Sequence, residues 1–327
     1  MKNARRVLEA AVAALALMLA STFAIQAAHA AYPDRAIHII VPYPPGGLTD
    51  AVARAVGKAL AERVQQPVVV ENVAGGGGNI GASKAAKSPA DGYTLYIGNN
   101  ATVGLNTLLY KNLNFDPIVD LAPIALVAES QTILVVNPSV PARTVAELIT
   151  LAKSKPGQLN FGSTGAGGLS HLIGELFNTT AGVHMTHIPY KGTGPALTDL
   201  LGGQIQAMFN DTSLPHIKSE KLRALAVTGP KRWAQLPEVP TLAELGQPGY
   251  ETYNWFGILA PAGTPASVIA RLNQELVAIM QDSAMQAWMK ERGAEAVSNS
   301  PAEFATYIKR DLAKWARVVK DVGIKPE

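Results

Sequence analysis

The hydrophobic positions along the chain follow two alternating spacings, which predict strands and helices in turn. Short apolar runs such as residues 36–41 are typical of strands that are buried on both faces. Between these runs, apolar residues recur every three or four positions, as at Val52, Val56 and Leu60, and this spacing places them on one helix face. Connections rich in Gly and Pro separate the segments. The pattern predicts an α/β fold with a mostly parallel sheet.

The individual segments follow from these runs and their flanking residues. Strands are predicted at residues 36–41, 68–70, 93–97, 133–136, 159–163, 185–189, 207–209 and 222–227. Helices are predicted over 50–64 and from residues 80, 144, 170, 264 and 300 onward. Two helices open with the spacing of a capping box, in which Thr144 pairs with Glu147 and Ser300 with Glu303. The last helix has an apolar face that we expect to be buried, formed by Phe304, Ile308, Leu312 and Trp315.

The N-terminal segment has the three parts of a secretory signal peptide, and residues 1–30 are predicted to be removed. Lys2, Arg5 and Arg6 precede an apolar run, and the small residues Ala28 and Ala30 supply the cleavage pattern. The run falls short of the ~20 apolar residues that a membrane span needs, although an uncleaved anchor is an alternative. Cleavage after Ala30 would leave a periplasmic protein.

The composition narrows the class of protein further. A chain of 327 residues fits roughly two domains. Its 16% charged and 48% apolar residues argue against disorder, and the absence of cysteine excludes disulfides and thiolate metal sites. Removal of the signal peptide takes away three cations and one anion, so the formal net charge falls from +3 to +1. We therefore expect no nucleic-acid partner.

Two connections between a strand and a helix share one design. The first covers residues 44–50 (PPGGLTD) and the second covers residues 163–170 (STGAGGLS). In both, glycines leave backbone N–H groups uncovered just before a helix N-terminus, where the helix dipole favours an anion. Neither loop contains Arg or Lys, so an acid would be held by N–H groups, hydroxyls and water. The alternative is that both are ordinary connections with capping residues.

Characteristic motifs are spread along nearly the whole mature chain. They are residues 32–35 (YPDR), 40–50 (IVPYPPGGLTD), 71–81 (ENVAGGGGNIG), 91–95 (DGYTL), 187–192 (HIPYKG), 222–227 (LRALAV) and 257–265 (GILAPAGTP). Together they resemble one family, the substrate-binding receptors of tripartite tricarboxylate transporters, or Bug receptors. The resemblance implies a two-domain periplasmic binding protein of type II (Venus flytrap), with two crossover strands and an interdomain ligand cleft.

The same resemblance implies a domain division and a function. Residues 31–130 together with 255–327 would form domain 1, and residues 131–254 would form domain 2. The protein would bind a small organic acid in the cleft and deliver it to transporter subunits of the inner membrane. The ligand could be a di- or tricarboxylate, an aromatic acid, an acidic amino acid or a small neutral metabolite, and a monomer is expected.

The family's ligand-binding positions carry over to both loops and to neighbouring segments. We expect Asn210 to line the cleft with them, and Trp255 to form a wall. This chain departs from the family pattern in the second loop, where relatives more often carry Asn and Ser, and in a shorter segment between Phe209 and Pro215. The candidate ligand-binding residues are Tyr43, Pro45, Gly46, Gly47, Leu48, Thr49, Asp50, Asn99, Asn100, Thr102, Ser163, Thr164, Gly165, Gly167, Ser170, His171, Asp211 and Trp255.

Asp50 has two interpretations, because a carboxylate beside a carboxylate ligand would repel it. It could cap its own helix, as Asp commonly does. Alternatively, it could bind an amine or a water next to the acid.

Other chemistry is weakly supported by the sequence. Residues 76–81 match the glycine spacing of a dinucleotide site, but no acidic residue follows at the distance that a ribose requires. Ser170 and His171 are neighbours in a helix and therefore point in different directions, which does not suit a catalytic triad. His184 and His187 would face opposite sides of a strand, so they do not form a zinc pair. We expect no cofactor, no metal and no catalysis, with an exported ligand sensor as the alternative function.

Overall fold

Two mixed β-sheets with flanking helices make up the described part of the chain. The computed structural model describes residues 32–247, 249–250 and 253–323, so the predicted signal peptide and its cleavage site lie outside the described residues. The elements below all belong to one compact unit, Ala36–Glu327. No helix in the described ranges is long and apolar enough to cross a membrane.

The strands and helices alternate along much of the chain. The strands are β1 (Ile37–Val41), β2 (Val68–Asn72), β3 (Thr94–Asn99), β4 (Leu121–Ser130), β5 (Ile133–Val136), β6 (Asn160–Ser163), β7 (Thr186–Pro189), β8 (Ala207–Asn210), β9 (Arg223–Val227), β10 (Asn254–Pro261) and β11 (Ala294–Ala296). The helices are α1 (Leu48–Val64), α2 (Asn79–Ala86), α3 (Asn106–Leu109), α4 (Val145–Ser154), α5 (Leu169–Ala181), α6 (Thr193–Leu201), α7 (Leu214–Lys218), α8 (Ala266–Gln281), α9 (Ser283–Glu291) and α10 (Pro301–Val322).

The apolar pattern of the first helix is confirmed. Val52, Val56 and Leu60 are fully buried on the face of α1 that packs against β1 and β2. The helix ends at Gln65, whose left-handed φ of 54° breaks the helical path. This packing fixes the position of the first glycine loop, which enters α1 at its N-terminus.

The first sheet has the strand order β11-β4-β10-β3-β1-β2. β1 runs parallel to β2 and β3, whereas β10 lies antiparallel between β3 and β4, and β11 pairs antiparallel with β4. Its strands therefore come from two separate parts of the chain, one before and one after the second sheet. The long strands β4 and β10 were not predicted from the sequence.

The second sheet has the strand order β7-β6-β8-β5-β9. β6 lies parallel between β7 and β8, and β5 is antiparallel to both β8 and β9. Both sheets are thus mixed, and the prediction of a mostly parallel sheet is wrong. The path of the chain explains the difference, because β5 and β10 arrive from the other sheet and enter against the direction of their neighbours.

The chain passes between the two sheets twice. β4 ends at Ser130 in the first sheet and β5 begins at Ile133 in the second, so only Gln131 and Thr132 lie between them. The chain returns after β9 and re-enters the first sheet with β10 at Asn254. The two crossings agree with the predicted two-domain α/β fold, while the domain boundaries stay a prediction.

The C-terminal helix α10 contacts both halves of the molecule, at β4 of the first sheet and at α5 beside the second sheet. Phe304 and Ile308 belong to the buried apolar cluster of the first sheet, whereas Trp315 and Val319 belong to the cluster of the second sheet. The predicted inward face of the helix is confirmed at Phe304, Ile308 and Trp315, which are buried, and Leu312 is half-buried. The helix is therefore a third connection between the two halves of the molecule.

One of the two predicted capping boxes is complete. At the start of α10, Ser300 Oγ accepts from the Glu303 N–H at 3.2 Å, and the Glu303 carboxylate accepts from the Ser300 N–H at 2.8 Å. At the start of α4, Thr144 Oγ1 accepts from the Glu147 N–H at 3.1 Å. The Glu147 carboxylate accepts from the N–H of Arg143 instead of Thr144, so only half of that box forms.

Candidate functional site

A small cavity lies among the loops that follow the strands of both sheets. Its volume is about 70 Å³, counted as the space that the centres of water molecules can occupy. This volume is enough for several waters or a small organic molecule. Its lining residues are Tyr43, Pro44, Pro45, Gly47, Leu48, Thr49, Asn99, Ala101, Thr132, Thr164, Leu169, Ser170, Gly192, Thr193, Gly194, Pro195, Phe209, Asn210, Asp211 and Asn254.

Three helix N-termini contribute to the wall of this cavity. The N-cap residues of α1, α5 and α6 are Gly47, Gly168 and Gly192, and none of these helices has a side-chain cap. The first residues of each helix line the cavity, so their N–H groups and the positive ends of the helix dipoles face the same space. This arrangement favours an anion.

The two predicted glycine loops are brought together, and a third loop joins them. Gly192, Thr193, Gly194 and Pro195, between β7 and α6, line the cavity but were not among the candidate residues. The sequence contained a signal for this loop, because it also places glycines between a strand and a helix. Six further lining residues were not among the individual candidates, although Pro44 and Leu169 belong to the two predicted loops: Pro44, Ala101, Thr132, Leu169, Phe209 and Asn254.

Tyr43 and Asn99 form the polar wall on the side of the first sheet. The Tyr43 hydroxyl lies 3.2 Å from Asn99 Nδ2, and the N–H of Thr102 donates to Asn99 Oδ1 at 3.1 Å. Burial raises the pKa of Tyr43 to about 12, so its hydroxyl stays neutral. Thr102 does not line the cavity and instead orients the Asn99 side chain.

Asn210 and Asp211 line the cavity at the end of β8. Asn210 Oδ1 accepts from Ser213 Oγ at 2.7 Å, while its buried Nδ2 has no partner in the described part of the protein. Asp211 Oδ2 accepts from Ser130 Oγ at 3.0 Å and from Asn254 Nδ2 at 2.5 Å. Burial raises the pKa of Asp211, and the two hydrogen bonds partly oppose that effect.

Asp50 does not line the cavity, although its neighbour Thr49 does. Its carboxylate accepts from Arg54 Nε at 3.0 Å, from Asn72 Nδ2 at 2.9 Å and from the N–H of Gly46 at 3.2 Å. Although burial raises its pKa, the hydrogen bonds from these three groups bring the pKa of Asp50 below its usual value. Asp50 therefore stabilises the first loop from outside the cavity.

Trp255, which the sequence predicted as a wall of the cleft, is buried in the core of the first sheet. Its ring packs edge-on against Phe304 with centroids 5.5 Å apart. Its Nε1 donates to the Asp311 carboxylate at 2.8 Å, and the same carboxylate accepts from Asn100 Nδ2 at 2.8 Å. Trp255 and Asn100 thus anchor β10 to α10, and neither lines the cavity.

A pair of histidines supports the second loop from behind. The rings of His171 and His187 stack with centroids 3.8 Å apart. His187 Nε2 lies 2.6 Å from Ser163 Oγ, and His171 Nδ1 accepts from the N–H of Gly167 at 3.1 Å. Burial lowers the pKa of His171 to about 4 and, together with the neighbouring His171, that of His187 to about 3. Both rings are therefore neutral near pH 7.

The remaining candidate residues do not line this cavity. Ser163 is fully buried, and its hydroxyl donates to the carbonyl of Gly165 at 2.9 Å. Of the eighteen candidates, nine line the cavity, and the following nine do not: Gly46, Asp50, Asn100, Thr102, Ser163, Gly165, Gly167, His171 and Trp255.

The chemistry of the lining residues suits binding of an acid without a cationic side chain. None of the described residues that line the cavity is Lys or Arg. In the described ranges, no group of three or more His, Cys, Asp or Glu side chains could hold a metal ion. A ligand carboxylate would instead meet the helix N-termini and the hydroxyls of Thr49, Thr164 and Ser170.

Comparison with known proteins shows the family to which the chain is related. The sequence model of the tripartite tricarboxylate transporter family receptors matches residues 52–324 of the chain. The chain is also 39% identical over 297 residues to the protein BugT of Bordetella pertussis. That alignment covers 90% of this chain and 91% of the relative.

Solved structures match the fold over most of the chain. An R. palustris protein with adipate is 38% identical, with a TM-score of 0.88 over 90% of this chain and 100% of that chain. The periplasmic binding protein BugD is 35% identical, with a TM-score of 0.86 and coverage of 90% and 100%. MatC from Rhodopseudomonas palustris with bound malate is 31% identical, with a TM-score of 0.84 and coverage of 88% and 100%.

Proposed function

The chain belongs to the tripartite tricarboxylate transporter receptor family, and we propose that it captures a small organic acid in the cavity and delivers it to transporter subunits in the inner membrane. The signal-peptide pattern supports export to the periplasm with cleavage after Ala30. The likeness to BugD, a periplasmic binding protein, supports the same location.

The convergence of three helix N-termini on one cavity carries this proposal. Each terminus offers unpaired N–H groups and a positive dipole end, and no cationic side chain lines the same space among the described residues. A carboxylate satisfies these donors without a buried ion pair. The two relatives that were solved with adipate and malate hold acids of this chemical class.

Capture of the ligand would follow from the fact that the lining residues come from both halves of the molecule. Thr49 and Asn99 belong to the half of the molecule built on the first sheet, whereas Thr164 and Thr193 belong to the half built on the second. A ligand that touches both groups stabilises the arrangement in which they are close together, by its differential affinity for that arrangement. The closed, loaded receptor would then dock on the membrane subunits.

A binding measurement on the mature chain from Ala31 tests the proposal. After removal of co-purified ligand by unfolding and refolding, thermal shift and calorimetry would compare carboxylic acids with their neutral methyl esters. A ligand at about a hundred times its Kd stabilises by ~2.7 kcal/mol, which is a shift of several degrees at this size. We expect such shifts for acids alone. Equal shifts for esters, or none for any acid, would contradict the proposal.

A further inference from the structure

Asp211 gives one end of the cavity a chemistry that differs from the rest. Its carboxyl group is the only one on the residues that line the cavity within the described ranges, and Asp211 is 7% exposed. A charge buried to this degree is weakly screened by solvent, so it acts strongly on any group that enters the cavity.

The hydrogen bonds of Asp211 fix which of its oxygens a ligand can reach. Ser130 Oγ and Asn254 Nδ2 both donate to Oδ2, from the end of β4 and the start of β10. A carboxylate accepts through both oxygens, so Oδ1 keeps lone pairs for a donor on the ligand. Burial raises the pKa of Asp211, and these two donors together with the N–H of Asp211 oppose that rise by favouring the charged form.

The neighbouring Asn210 supplies the complementary group. Its Oδ1 is occupied by Ser213 Oγ and by the N–H of Thr212, which fixes the amide so that Nδ2 is the atom without a partner. Asn210 is 4% exposed, so an unpaired donor there is destabilising unless a ligand accepts from it. A donor on Asn210 beside an acceptor on Asp211 matches a ligand group that both accepts and donates.

We propose that the ligand is a monoanionic organic acid whose far end carries an uncharged donor and acceptor group, such as a carboxamide or a hydroxyl. The carboxylate meets the three helix N-termini, and the uncharged group meets Asn210 and Asp211. A second carboxylate at that end would be repelled by Asp211. This inference rests on the proposed function and goes beyond it, since it excludes simple dicarboxylates as preferred ligands.

Matched pairs of ligands that differ only in charge test the inference. Calorimetry at a pH of about 8, where both carboxyl groups are ionised, would compare malonate, succinate, glutarate and adipate with their monoamides. We expect the best monoamide to bind at least tenfold more tightly than the diacid of the same length. Asp211→Asn removes the charge and should reduce this preference to about threefold or less, mainly because the diacid binds better.

Asp199→Asn is the matched control, because Asp199 lies on α6 outside the cavity lining and accepts from the Tyr190 hydroxyl at 2.8 Å. It should leave the preference unchanged. If Asp211→Asn does not fold, as judged by circular dichroism, Asp211→Ser and the comparison on the unaltered chain still decide the question. A diacid that binds as tightly as its monoamide overturns the inference but not the proposed function. Failure of every acid to bind overturns both.

Discussion

The Tyr110 hydroxyl donates to the carbonyl of Ala166 across 3.1 Å, and this bond joins the two halves of the molecule beside the cavity. Tyr110 follows α3, which comes directly after the strands β1–β3 of the first sheet, whereas Ala166 lies in the second glycine loop. The bond therefore depends on the closeness of that loop to the first half.

Removal of this hydroxyl should weaken ligand binding more than it weakens the fold. Tyr110→Phe loses one hydrogen bond of the closed arrangement, which is worth about 1 kcal/mol, so we expect roughly a fivefold loss of affinity. Stopped-flow binding should assign most of the loss to faster ligand release. An unchanged release rate would show that the bond does not hold the closed state.

Two neighbouring hydroxyls in the second loop should respond differently to substitution. Thr164 lines the cavity, so Thr164→Ala should lower affinity about tenfold or less with little change in Tm. Ser163 is buried and bonded to His187 and Gly165, so Ser163→Ala should lower the free energy of unfolding by about 1–3 kcal/mol. Urea unfolding and calorimetry on both variants would separate these effects, and the reverse pattern would contradict the assignment.

Asp50→Asn should destabilise the protein and leave ligand affinity within about threefold. The Asp50 carboxylate accepts hydrogen bonds from Arg54, Asn72 and the Gly46 N–H. An amide has only one acceptor oxygen, so it cannot accept from all three groups equally well. We expect a loss of roughly 1–3 kcal/mol in the free energy of unfolding. A tenfold loss of affinity for a simple acid, with the fold intact, would instead support direct ligand contact by Asp50.

The histidine stack should make stability depend on pH in the acid range. The folded-state pKa values of His171 and His187, about 4 and about 3, lie below the usual 6.5, so the folded state binds these protons less readily than the unfolded state. The contribution of these neutral histidines to the free energy of unfolding is fully present above a pH of about 6.5 and is lost as the pH falls toward 3. One pKa unit corresponds to about 1.4 kcal/mol, so His171 alone should account for up to roughly 3 kcal/mol.

Urea unfolding between pH 7 and 4 would measure this loss. His187→Gln keeps a polar partner for Ser163 but cannot be protonated, so its stability should fall less steeply with acid than that of the unaltered chain. Buried carboxyl groups such as Asp311 have raised pKa values and change stability in the opposite direction, equally in both proteins. Identical slopes for the two proteins would contradict the role of the histidines.

The local pattern of apolar residues was sufficient to predict an element where burial of one face, or of both faces, dictates that element. Val52, Val56 and Leu60 in α1 and the run of β5 are such cases, and both were predicted. The directions of β5 and β10 were not, because they depend on the path between the sheets and not on local spacing. Trp255 was placed in the cleft by its position in the family pattern, and Asp50 was left with two interpretations. The side chains of both satisfy internal partners that no spacing reveals.

The contacts of α10 with both halves of the molecule have a consequence for the order of folding. Trp315 and Val319 complete the apolar interior beside the second sheet, whose strands end at Val227. A ribosome adds these two residues long after that last strand, so all the strands of the sheet are made before its interior can close. For a chain predicted to be exported, the late arrival of α10 would postpone stable folding of the second half until well after its strands are made.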